Sequence, residues 1–326
     1  MSAMGRSWRH AAACSLLALL AGCAQLVPQT VALRTGWPEG VPQHAELTQV
    51  PFFPQDDYQC GPAALATALA SSGVEVTPEA LVDQVWLPAR RGSLQLEMLA
   101  TPRRYDRVAL RLPAHYPDLL REVAAGNPVV VLQDVGVLGT QWHYAVVNGF
   151  DYPSGTLFLR SGTRARQEMP FTAFERSWMK GGYWAMVVVP PDRIPVTAAP
   201  DAWLAAVLAM ARTARPQAVT AAYAAALERW PDNLAAAIGL ANQHHARGSM
   251  MEAAAVLRTA LRRHPQSAIV LNNLAQVLSD QGRHGEALLQ LERAGNDPQA
   301  PFASELRATR QLIVQRLEQQ KAGGRR

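Results

Sequence analysis

Two side chains in this sequence are of the types that acyl chemistry needs, a thiol at Cys60 and an imidazole at His143. A thiolate attacks a carbonyl carbon readily, and an imidazole can take its proton and return it to a leaving group. Cys60 opens the run Cys-Gly-Pro-Ala-Ala-Leu-Ala-Thr-Ala-Leu-Ala-Ser-Ser-Gly73, which has no charge on any face and reads as a helix buried on all sides. Pro62 suits the first helical position, and Gly73 suits the residue just past the end. Cys60 is thus expected at a helix N-terminus. Free N–H groups and the positive end of the dipole favour an anion there, so its thiol should ionise more readily than a free one. The approach is polar, through Asp56, Asp57 and Gln59, with Gln55 one short loop upstream.

His143 stands apart from the other seven histidines. His10 lies in an N-terminal apolar segment, His44 in a stretch rich in Pro and Gly, and His115 between Pro113 and Pro117. His244, His245, His264 and His284 all lie in the C-terminal half. His143 alone heads an apolar run, Trp142 to Phe150, with the pattern of a buried strand.

The elements that must position this pair follow from local signals. Leu47 to Phe53 reads as a short strand before the buried helix. Pro78 to Val85 reads as a second helix with Thr77 as its cap, and Ser93 to Ala100 as a third with Ser93 as its cap. Asp118 to Ala125 is a fourth, stopped by Gly126-Asn127-Pro128. Val129 to Gln133 is a buried strand. Trp142 to Phe150 and Thr156 to Leu159 form a hairpin about Asp151-Tyr-Pro-Ser-Gly155, and Tyr183 to Val189 is the last strand. Helices come first and an antiparallel sheet later, which is an α+β domain.

Pro51-Phe-Phe-Pro-Gln-Asp-Asp-Tyr-Gln-Cys-Gly-Pro-Ala-Ala-Leu65 resembles the nucleophile motif of the papain-like bacteriocin-processing peptidases, which remove double-glycine leader peptides. The resemblance implies a papain-like cysteine peptidase domain over 46–190, with Cys60 as nucleophile, His143 as general base and a Gln as oxyanion donor. The family sets that Gln six positions before the Cys. Position 54 here is Pro, Gln55 is five before, and Gln59 is the alternative donor. The family's third residue is an Asp at the end of the strand after the His hairpin, where this chain reads Leu159-Arg160-Ser161-Gly162. Asn148 would face away from His143 and Asp151 lies in the turn. Ser161 could accept from the imidazole, more weakly than a carboxylate.

Residues 1–22 have the pattern of a signal peptide: Arg6 and Arg9, then an apolar run from Ala11 to Leu20 that is too short to span a bilayer. Leu20-Ala21-Gly22-Cys23 resembles a bacterial lipobox, which implies an acylated Cys23 as mature N-terminus. By the same resemblance Ala24 after it implies sorting to the outer membrane, facing the periplasm. Cys14 would leave with the signal and Cys23 would carry lipid, so Cys60 is the remaining thiol and has no partner for an intramolecular disulfide. Residues 23–45 read as a spacer, broken by Pro28, Gly36, Pro38, Gly40 and Pro42.

Residues 191–200 are rich in Pro and read as an extended linker. Beyond it the sequence matches itself with a period of 34: Trp230-Pro231 with His264-Pro265, Gly248 with Gly282, Leu257 with Leu291. That period resembles tetratricopeptide repeats over 201–298, an all-α solenoid, with an end helix and basic tail over 299–326. Trp203 takes the aromatic position of a degenerate first repeat.

The formal charge of +5 is local: the signal contributes +2 and the segment from Pro301 contributes +4, leaving the body near neutral. No nucleic-acid partner is therefore expected. There is no phosphate-binding loop and no ligand-spaced Cys/His cluster, so no metal or other cofactor is expected either. The expected partners are a peptide or protein substrate, a protein on the repeats, and the membrane through the lipid. The rival readings are acyl transfer by the same Cys–His pair and a catalytically weak scaffold.

Overall fold

The computed structural model describes residues 27–54, 59–87, 89, 92–295 and 297–323. The signal, Cys23 and Gln55 lie outside them. The chain forms two compact units. The first holds most of the chain up to Val189 together with Pro195–Ala198, and the second holds Ala199 onward with the short segments Asp106–Val108 and Pro190–Ile194.

The first unit opens with a helix that the sequence conceals, α1 (Pro28–Thr35), within the expected spacer. Pro28 occupies its first turn, where a missing N–H does no harm. The buried Glu175 carboxylate accepts from the N–H of Gln29 at 2.9 Å and of Thr30 at 2.6 Å, capping the helix from 146 residues away. Val27, Thr30 and Leu33 are buried, so the segment is part of the folded body.

After α1 come β1 (His44–Glu46), α2 (Cys60–Ser71), α3 (Pro78–Val85), the small hairpin β2 (Trp86–Leu87) and β3 (Gly92–Ser93), and α4 (Gln95–Ala100). They are followed by β4 (Val108–Arg111), α5 (Tyr116–Ala124), β5 (Val129–Asp134), β6 (Trp142–Asp151), β7 (Thr156–Ser161), β8 (Arg164–Pro170), α6 (Phe171–Lys180) and β9 (Ala185–Val189). The main sheet runs β4-β9-β5-β6-β7-β8, with β1 also on β6. This is the expected α+β arrangement.

Two local expectations fail, each to a distant partner. Leu47 to Phe53 is not a strand, because the carbonyls of Thr48 and Val50 accept from the Arg160 guanidinium on β7 instead of from a neighbouring strand. Ser93 does not cap α4: Leu94 takes the cap position, and Ser93 pairs with Trp86 in the small hairpin.

Every residue of α2 from Gly61 to Leu69 is buried, as an uncharged helix demands. It packs with Leu81, Val85, Met98, Val130, Tyr144 and Trp184 in one cluster. Each fully buried Leu there, such as Leu65 or Leu69, contributes about 1.5–3 kcal/mol. The nucleophile helix is thereby anchored in the core rather than on a loop.

The second unit holds the helix pairs α7 (Pro200–Met210) with α8 (Pro216–Arg229), α9 (Leu234–Ala246) with α10 (Met250–Arg263), and α11 (Ala268–Asp280) with α12 (His284–Arg293). The end helix α13 (Ala303–Gly323) follows. The 34-residue period appears as repeated geometry. Gly248 and Gly282 have φ of +76° and +78°, each closing the first helix of its pair in the left-handed region. Trp203 is fully buried and its indole donates to the Ala222 carbonyl at 3.1 Å. The Gln276 amide of α11 donates to the Thr309 hydroxyl of α13 at 3.1 Å.

Candidate active site

Cys60 is the first residue of α2 and half-buried. His143 is the second residue of β6, opposite Gln133 on β5. Ser161 ends β7, and a tight turn at Gly162, with φ of +55°, returns the chain to Arg164 directly across from it. Cys60, His143 and Ser161 all line one cavity of about 1350 Å³, together with Ser93, Arg164 and Lys180. Such a volume accommodates several residues of an extended peptide.

His143 Nε2 lies 2.9 Å from Ser161 Oγ. That contact engages one nitrogen of the ring, Nε2; no hydrogen bond joins His143 to Cys60 among the described residues. Asn148 is fully buried and gives its amide to the Leu47 carbonyl, away from the cavity. Gln59 is exposed, with no capping hydrogen bond from its side chain, and is not among the residues lining the cavity.

The electrostatics correct one expectation. Burial pushes the Cys60 thiol up, and the backbone N–H groups of Tyr144, Gly61 and Cys60 itself oppose this without overcoming it. The helix terminus is in place, but desolvation of the anion outweighs it. Burial likewise holds the His143 imidazole below its ordinary value. Both shifts favour neutral forms, so the resting pair is thiol and imidazole rather than thiolate and imidazolium.

One residue that shapes a loop beside the cavity escaped the sequence reading. Asp134, at the end of β5, accepts from the N–H groups of Gly136 at 3.0 Å and Gln141 at 2.8 Å, and pairs with Lys180 Nζ at 3.3 Å. It closes the loop that delivers Trp142 and His143 to the cavity. The Gln141 N–H first, then that of Gly136, holds its carboxyl below the usual range. An Asp followed by two glycines, Gly136 and Gly139, was the available signal.

Ser161→Ala is expected to lower turnover by about tenfold or less, because one neutral hydrogen bond contributes about 1 kcal/mol. Ser161→Asp should hold or raise turnover and lift the His143 pKa, by adding an opposite charge to the ring's partner. Titration of His143 by NMR alongside turnover checks both. An inactive but folded Ser161→Asp with a fully active Ser161→Ala would remove Ser161 from the site.

A thiol on a buried helix, an imidazole on a strand of the sheet, and a side chain orienting that imidazole make up a site of cysteine-peptidase type. Residues 47–186 match the family described as Peptidase_C39 like, so this part of the chain is a C39-like peptidase domain. Residues 246–301 match a tetratricopeptide repeat model, and the chain joins the two. Among solved structures, a protein named as a C39-like peptidase from Bacillus anthracis is 20% identical, with a TM-score of 0.38 over 45% of this chain and 97% of that one. The peptidase domain of Streptococcus ComA, a bifunctional ABC transporter involved in quorum sensing, is 18% identical, with a TM-score of 0.36 over 44% of this chain and 99% of that one. No curated protein matches the chain.

Proposed function

We propose that this protein is a lipid-anchored periplasmic cysteine peptidase of the bacterial outer membrane, whose repeats recruit a protein or peptide partner. What carries the reading is that Cys60, His143 and Ser161 line one cavity while the ring's Nε2 is already engaged by Ser161. In the proposed cycle Cys60 loses its proton to His143 Nδ1 as Sγ bonds to the substrate's carbonyl carbon. The C–N bond then breaks, His143 passes that proton to the amine, and water resolves the thioester to an acid, restoring the thiol. The Cys60 N–H is available at the helix terminus as one oxyanion donor, with Gln55 as its expected companion. Location rests on the Leu20-Ala21-Gly22-Cys23 motif.

The test uses the full chain in cells as wild type, Cys60→Ala and Cys23→Ser. Wild type should partition with membranes and cleave peptides, with new termini identified by mass spectrometry. Cys60→Ala should remain in the membrane fraction without cleaving, and Cys23→Ser should leave the membrane fraction. Products joined to an added primary amine would convert the reading to acyl transfer. Cleavage unaffected by Cys60→Ala would end it.

A further inference from the structure

One polar atom beside the nucleophile has no role in this scheme, the hydroxyl oxygen of Ser93. It is sealed from solvent and has no hydrogen-bond partner among the described residues. A buried hydroxyl without a partner costs about 1–3 kcal/mol, so its retention calls for a reason.

Its position supplies one. A Cβ added to Gly61 would lie 2.1 Å from Ser93 Oγ, which places that oxygen against the first turn of α2, next to Cys60. Ser93 and Cys60 line the same cavity. The Ser93 backbone is fixed from two sides, by its pairing with Trp86 and by the Tyr144 hydroxyl, which donates to its carbonyl at 3.2 Å. Tyr144 is also the residue whose backbone N–H reaches the Cys60 sulfur.

The donors around the sulfur suit one charge state. A neutral thiol is a weak acceptor and gains little from the N–H groups of Tyr144, Gly61 and Cys60, which favour its anion. A thiolate accepts several strong hydrogen bonds. We infer that Ser93 is a further catalytic residue, its side chain turning about Cα–Cβ so that the hydroxyl donates to Cys60 Sγ as the thiol's proton passes to His143 Nδ1. The hydroxyl keeps its own proton throughout, and the only transfer is from sulfur to imidazole nitrogen. The site then holds an anion during attack and a neutral thiol at rest.

The inference rests on Cys60 being the nucleophile, and its test needs no substrate. Alkylation of Cys60 by iodoacetamide in the full chain is followed against pH by mass spectrometry. Ser93→Ala should raise the midpoint by about one pH unit, slowing labelling about tenfold at neutral pH. Ser93→Cys, close in size but a weaker donor, should shift it the same way by less and guards against an alanine variant that does not fold. A midpoint unchanged or lowered in either folded variant overturns the assignment. A raised midpoint together with no peptide cleavage by wild type would instead overturn the peptidase reading and leave the Ser93 donor standing.

Discussion

Replacing His143 with alanine should lower kcat/KM for peptide cleavage on the order of 10³-fold, within the range for loss of a positioned general base. The size follows from the resting protonation state. Because burial raises the Cys60 thiol, little thiolate stands ready at neutral pH, and attack depends on the imidazole removing the proton. Because burial lowers His143, the imidazole stays neutral and competent as pH falls below about 6.5, the ordinary histidine value. Activity should therefore persist on the acid side and vanish only as the ring protonates below that value. In His143→Ala the residual rate should climb with pH through the thiol's own raised ionisation. A wild-type profile whose acid limb lies at or above an ordinary histidine, or a variant that keeps wild-type rate, would sink the neutral-pair account.

Gly61→Ala should damage both stability and activity. The new Cβ would meet Ser93 Oγ at 2.1 Å and Ser93 Cβ at 2.5 Å, separations that real side chains do not keep. Rotation of the Ser93 side chain moves its Oγ but not its Cβ, which sits on a paired strand, so either β3 or the first turn of α2 must move. Overpacking of this kind costs about 1–3 kcal/mol, several degrees in Tm for a domain of this size. The displaced turn carries the nucleophile, so activity should fall by at least about tenfold as well. Adding Ser93→Gly should restore most of the melting temperature while leaving alkylation slow, since the hydroxyl is then gone. Gly61→Ala melting with wild type and fully active would show that the hairpin yields freely.

The nucleophile helix was legible because its signals are contiguous: a prolyl turn, an uncharged run and Gly73, which has φ of +85°. The helix Pro78–Val85 was legible on the same grounds. The 34-residue period was legible because each repeat carries its own turn glycine. The failures share one cause, a partner outside the segment that was read. Proline and glycine marked 28–42 as broken, yet the Glu175 carboxylate supplies the cap that makes α1 a helix. Ser93 has the composition of a cap, yet it is held by Trp86 across the small hairpin. The depth of burial around Cys60 is not written in neighbouring residues, whereas the contact of Ser161 with the imidazole ring was expected from its place after the His hairpin and is present at 2.9 Å. Helix position predicted an acidic thiol; only the packed core shows that desolvation reverses it.

The capped α1 also sets the length of a leash. Four peptide steps separate Cys23 from the buried Val27, and a chain that short reaches at most about 14 Å. With acyl chains on Cys23, the peptidase domain would be moored against the headgroups rather than drifting on a long tether. Its catch would be peptides that pass within a narrow layer above the bilayer, and encounter would become a search in two dimensions instead of three.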